Sequence, residues 1–231
     1  MRQLQPAERS TSVKVVTPEL LISNPVQSKA TLVLAHGAGG GMRGNLLDTI
    51  SEGLTDQGWC VVRFEFPYAT RRALTGRQSL PDKLPILLET YRSVVDTVFR
   101  QVQKPLLIGG HSMGGRIASL LGDTLYSDGL IHGVVSLGYP FHPLRKPDHL
   151  RTDHLRFSQV PMLIVQGERD PMGGCEEVQH YDLSDQIQIR WISDGDHSFL
   201  PRTRSGFTDD QNLRHVVRCV DAFMIEVCDR C

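Results

Sequence analysis

A serine hydroxyl becomes a nucleophile only when it is held clear of its own backbone and given a base. Ser112 stands in a stretch suited to the first condition. Gly110-His111-Ser112-Met113-Gly114 fits Gly-x-Ser-x-Gly, placed between the apolar run that starts at Leu106 and a helical apolar pattern that begins at once. Its glycines lack the side chains that would bar so sharp a strand-to-helix turn. The base should be an imidazole, and the imidazole needs a carboxylate on its other nitrogen to fix tautomer and orientation.

Nine histidines compete for the role of base. His197, in Gly195-Asp196-His197-Ser198-Phe199, follows the last strand and is favoured because loops on a rigid sheet position catalytic groups well. His215 falls within the closing helix, and His111 should point away from the serine at the turn. His142, His149, His154 and His180 sit in polar segments without a fixed scaffold. Among the acids, Asp194 and Asp196 are so near His197 in sequence that reaching its Nδ1 is awkward, and Glu168 would have to turn back from its strand. Asp170, in Gly167-Glu168-Arg169-Asp170-Pro171, is the better orienting acid, although an Asp-Pro turn would use the same residue. The resulting order Ser, Asp, His is the one expected when this geometry is built on an α/β sheet.

A tetrahedral intermediate also needs two amide donors for its oxyanion. Met113, after the nucleophile, offers one at a helix N-terminus, where the dipole favours negative charge. The second is expected from the glycine loop His36-Gly37-Ala38-Gly39-Gly40-Gly41, most simply from Ala38. Read as a phosphate cradle, GAGGGMRG lacks the Gly-Lys-Ser/Thr ending of a P-loop, and Glu65 is the only acid placed for a ribose. No His-Glu-x-x-His occurs, and His149 and His154 are spaced off one helical face. Neither a cofactor nor a metal is expected.

These groups need a scaffold. ATLVLA at 30–35 is a continuous apolar run, as in a strand buried on both faces of a parallel sheet. Further strands are predicted at 60–66, 106–110, 133–140, 161–167 and 187–193. Helices are predicted over 45–57, 85–102, the stretch opened by Ser112, 176–181 and 207–227. Strands alternating with helices imply a mostly parallel sheet flanked on both faces, an α/β fold without a large cap domain. Ligands in such sheets bind beyond the carboxyl ends of the strands, where the glycine loop, Ser112, Asp170 and His197 all fall. Segments 67–83, irregular and basic from residue 69 on, and 141–159 are expected to wall the cleft. Arg71, Arg72, Arg77, Arg145, Lys146 and Arg151 in them could attract an anionic substrate group, although solvated surface charge is their ordinary use.

The chain of 231 residues suits one domain, read here as 30–227, preceded by a polar segment 1–29 with an edge strand at Val13 to Val16 and followed by a tail 228–231. With 25 basic against 26 acidic residues there is no global electrostatic attraction to nucleic acid or an anionic membrane. No membrane-spanning run or signal-like N-terminus is present, and five scattered cysteines suit a reducing cytoplasm. Cys228 and Cys231, spaced C-x-x-C at the C-terminus, read as free thiols of a frayed tail.

HGAGG, RFEFPY, GHSMGGR, GYPFHPLRKPDHLRTDHL, GERDP and DGDHSF, in this order from about residue 30 to 225, resemble the α/β-hydrolase superfamily. In particular they resemble the group of testis-expressed protein 30 and the third regulatory subunit of the nonspecific lethal acetyltransferase complex, near dienelactone-hydrolase-like enzymes. The resemblance implies an α/β-hydrolase fold with Ser112, Asp170 and His197 at the catalytic positions. With the residues themselves it points to a serine hydrolase acting on a small-molecule ester or thioester. Some relatives serve as complex subunits, so the resemblance also leaves a protein partner and a vestigial triad as the alternative.

Overall fold

The computed structural model describes residues 18–24, 27–102 and 105–230. Seven strands form one sheet: β1 (Leu20–Ser23), β2 (Thr31–Ala35), β3 (Cys60–Phe64), β4 (Leu106–His111), β5 (Gly133–Leu137), β6 (Met162–Gly167) and β7 (Ile187–Ile192). Their spatial order is β1-β3-β2-β4-β5-β6-β7, parallel throughout except for β1, which pairs antiparallel with β3. Every residue of β2, β3, β5 and β6 is buried, which explains why their sequences read as apolar runs rather than as alternation.

Helices cover both faces. On one lie α1 (Asn45–Asp56) and α6 (Asp209–Cys228), which enclose a core with Leu34, Ile50, Val135, Phe199 and Val220. On the other lie α2 (Pro67–Thr75), α3 (Leu84–Phe99) and α4 (Met113–Ser127), packed around Phe64, Tyr91, Ile108, Ile117 and Tyr139. The short α5 (Cys175–Val178) adds Val178 to the second core. A capping box starts α6: the Gln211 amide donates to Thr208 Oγ1 at 3.2 Å and the Thr208 amide to Gln211 Oε1 at 3.0 Å.

Two elements depart from expectation. Residues 67–75, which reach into the stretch 69–83 read as irregular and basic, form α2. Pro67 is its first residue rather than the end of a strand, and Gly76, in left-handed conformation at φ 66°, closes it. The described edge strand is Leu20–Ser23, whereas Val13 to Val16 lie outside the described residues. At the other end Cys228 is not frayed: it closes α6 and packs half-buried on the core, while Cys231 lies outside the described residues. Among the described residues no helix is long and apolar enough to cross a membrane.

The strand order sets the site. From β2 the chain runs outward to β3, then crosses back to place β4 on the opposite side of β2. A crevice therefore opens between the carboxyl ends of β2 and β4, because the segments leaving them diverge. Ala35 pairs with Gly110 across this junction, so the glycine loop and Ser112 flank the crevice.

Candidate active site

Ser112 sits where β4 becomes α4, at φ 53° and ψ −116°, a backbone conformation that L-residues rarely adopt. Its amide donates to Leu137 O at 2.9 Å and its carbonyl accepts from the Arg116 amide at 3.0 Å, so strand and helix both grip the turn. Space for the turn depends on missing side chains: a Cβ on Gly110 or on Gly114 would lie 2.4 Å from Ala35 O.

The structure brings together the three residues expected from sequence. Ser112 Oγ and His197 Nε2 are 2.8 Å apart, and His197 Nδ1 lies 2.7 Å from Asp170 Oδ2. Facing a carboxylate, Nδ1 is the protonated nitrogen, and Nε2 then presents its lone pair to the serine hydroxyl. Asp170 is buried and divides its two oxygens: Oδ1 accepts from the Met172 amide at 2.8 Å, holding the turn, while Oδ2 faces the histidine. One residue thus both holds the turn and faces the imidazole. Asp194 and Glu168 lie away from His197 Nδ1: Asp194 pairs with Arg202 at 2.5 Å, and Glu168 Oε2 accepts the Asp194 amide at 2.8 Å.

Ala38 and Met113 line the same cleft as Ser112 and His197. Met113 is the first residue of α4, so its N–H has no intrahelical acceptor. Ala38 lies in a turn closed by the Gly40 amide on Gly37 O at 3.1 Å, and Tyr68 Oη fixes that turn by donating to Ala38 O at 2.8 Å. Both residues thus stand at the crevice beside Ser112.

Several positioning residues were not foreseen. Gln166, buried in β6, donates through Nε2 to Asp170 Oδ2 at 2.9 Å and to Tyr139 O at 3.1 Å, and accepts the Tyr139 amide at 2.7 Å. A lone amide in the run Met162–Gly167 was the available signal, since a buried polar group must find partners. His36, also buried, donates from Nδ1 to Gly37 O at 2.8 Å and accepts the Phe66 amide on Nε2 at 3.1 Å, which joins the glycine loop to the start of α2. Burial holds its pKa below the usual histidine value.

His111 does not simply point away. Its Nε2 lies 3.1 Å from His197 O, with the two rings 5.1 Å apart, so it pins the backbone of the neighbouring imidazole. Burial, reinforced by the nearness of His197, lowers its pKa to about 4 and keeps it neutral. His142 and His154 are likewise anchored rather than adrift: His142 pairs with Glu177 at 3.1 Å and His154 Nε2 meets Ser119 Oγ at 2.9 Å.

The cleft, about 760 Å³, is walled as expected by parts of both flanking segments, including Pro81 and Asp82 on one side and Pro143, Leu144 and Arg151 on the other. Of the six basic residues singled out in those segments, Arg151 is the one lining it. Arg71 pairs with Asp82 at 2.5 Å, and Arg72 donates to Gly39 O at 3.2 Å and to Gly40 O, bracing the glycine loop.

A family model described as an alpha/beta hydrolase domain matches residues 28–225, nearly the whole sheet and its helices. The chain belongs to the α/β-hydrolase family. Solved structures similar to this hydrolase include the dienelactone hydrolase from Anabaena variabilis, 19% identical with a TM-score of 0.71 over 97% of this chain and 98% of that one. A serine hydrolase homologue from Coxiella burnetii is 20% identical, with a TM-score of 0.68 over 90% and 94% of the two chains. Est1E from Butyrivibrio proteoclasticus, solved with ferulic acid bound, is 18% identical, with a TM-score of 0.64 over 90% and 94%. No curated protein matches the sequence. At such identities the likeness is one of fold, and the narrower kinship with the testis-expressed protein 30 group rests on the motifs alone.

Proposed function

We propose that this α/β hydrolase cleaves a carboxylic ester or thioester through an acyl-enzyme on Ser112. The observation that carries this reading is the continuous chain from Ser112 Oγ through His197 to Asp170, with links of 2.8 and 2.7 Å, at an elbow on the carboxyl end of the sheet. His197 takes the hydroxyl proton as Ser112 attacks the carbonyl carbon, and Asp170 stabilises the resulting imidazolium. The Met113 and Ala38 amides receive the charge that develops on the carbonyl oxygen. The tetrahedral intermediate collapses as His197 returns the proton to the departing alcohol or thiol. Water, deprotonated by the same imidazole, then attacks the acyl carbon, and the acid leaves as Ser112 regains its proton.

A fluorophosphonate probe tests this. Wild-type protein is expected to be labelled at Ser112 and the Ser112→Ala variant not at all, with equal circular dichroism. A folded wild type that stays unlabelled and hydrolyses no ester or thioester would instead favour a non-catalytic complex subunit with a vestigial triad.

A further inference from the structure

Two cationic side chains share the cleft with Ser112 and have no part in the steps above. Arg116 lies four residues after the serine on α4, hence on the same helical face. Arg151 comes from the segment between β5 and β6, where its amide donates to Phe141 O at 2.7 Å and its carbonyl accepts from Tyr139 Oη at 2.9 Å. Both line the cleft.

Neither guanidinium is neutralised by a described carboxylate. Among the described residues no carboxylate pairs with Arg116 or Arg151, although most other cleft-side charges are committed. Asp82 is held by Arg71 and by the Tyr68 amide at 2.9 Å, and Asp170 faces His197. Arg116 Nε is buried without any hydrogen-bond partner. Behind the pair, His154 is kept neutral, its pKa lowered to about 4 by burial and by the positive charge of Arg116. Burial and Arg116 also disfavour the charged form of Arg151. Two half-buried like charges without a counterion destabilise a fold, and replacing either by an apolar side chain would relieve that. Their presence in a mainly apolar cleft is explained if a ligand supplies the counter-charge, because a guanidinium matches an oxyanion with paired donors.

We propose that the substrate carries a carboxylate or phosphate group that sits against Arg116 and Arg151 while its ester carbonyl lies at Ser112. This rests on Ser112 being the nucleophile, and it makes the enzyme selective for acidic esters.

The test places charge on each side of the ester in turn. On the acyl side, mono-4-nitrophenyl adipate and 4-nitrophenyl 5-phosphonopentanoate are compared with 4-nitrophenyl hexanoate. On the alcohol side, 4-acetoxybutanoate is compared with pentyl acetate. At least one charged ester is expected to exceed its neutral partner in kcat/KM by about tenfold or more, mostly through KM. Added salt should shrink that ratio. Arg151→Gln should abolish it, and Arg151→Lys should restore part of it. The adipate and phosphonate arms tell carboxylate from phosphate. Neutral esters hydrolysed as well as every charged one, or a preference that survives in both Arg151→Gln and Arg116→Gln, would overturn the proposal.

Binding is read separately from turnover by calorimetric titration of Ser112→Ala with adipate and with inorganic phosphate. If no ester is turned over and the probe does not label Ser112, the catalytic reading fails. Adipate or phosphate binding that Arg151→Gln removes would still support the anion site, and absence of binding would refute it.

Discussion

The floor of the cleft and its rim are built on opposite principles. On the floor, Gln166, Asp170 and the His36 ring are buried, and their polar atoms find hydrogen-bond partners within the protein. On the rim, Leu84 and Leu144 are exposed, α2 carries Arg71 and Arg72, and Arg151 has no counter-charge among the described residues. The floor thus holds its polar groups in fixed poses by hydrogen bonds, whereas the rim presents side chains that such bonds do not tie down. The floor would be shared by many hydrolases of this fold, and the rim is where this one is individual.

Substitutions can break that contrast, beginning where the effect is largest. Ser112→Ala should lower kcat/KM for any accepted ester by about 10⁴-fold or more while the thermal midpoint stays level or rises. A residual rate near wild type would remove the floor from the chemistry altogether. Asp170→Asn should follow, with a loss of about 10³- to 10⁴-fold, because an amide lets the imidazole adopt the wrong tautomer. Gln166→Leu sharpens the comparison further. It leaves the buried Tyr139 N–H without its partner and takes one of two partners each from Asp170 Oδ2 and Tyr139 O, so about 1–3 kcal/mol of stability should be lost in denaturant titrations, with a fall in kcat. Were Gln166 mere filling, stability would change and kcat would not.

Acid should also act on the floor. His111 is held at about 4 against a usual 6.5, so the unfolded chain binds its proton first as pH falls. Its contribution is fully present above about pH 6.5 and is lost on descent toward pH 4, amounting to roughly 3 kcal/mol. Chemical denaturation at pH 7 and pH 4.5 should show the slope, and His111→Asn should flatten it. The smallest effect belongs to the rim: Leu144, 55% exposed, changed to Ala should alter stability by no more than about 0.5 kcal/mol and should raise KM more than it lowers kcat.

What could be read from the chain follows the same division. Ser112, Asp170 and His197 announce themselves because each sits in a glycine-marked turn directly after an apolar run, a purely local pattern. Those runs likewise reveal six of the seven strands. α2 stayed hidden because its sequence, PYATRRALT, buries only Tyr68 and Ala69 and so has little apolar periodicity. β1 is four residues long and is defined by its pairing with β3, a contact across about forty positions that no local pattern carries. Gln166, His36 and Arg116 each look ordinary in sequence, since what they do depends on groups delivered by other strands.

The backbone at Ser112 has one further consequence. A non-glycine residue held at φ 53° and ψ −116° opposes folding by about 1–3 kcal/mol, which the surrounding sheet and helix must offset. Selection for stability alone would therefore remove this serine, and Ser112→Gly should melt above the wild type while being inert. The residue proposed as the nucleophile is the one that its fold would be better without.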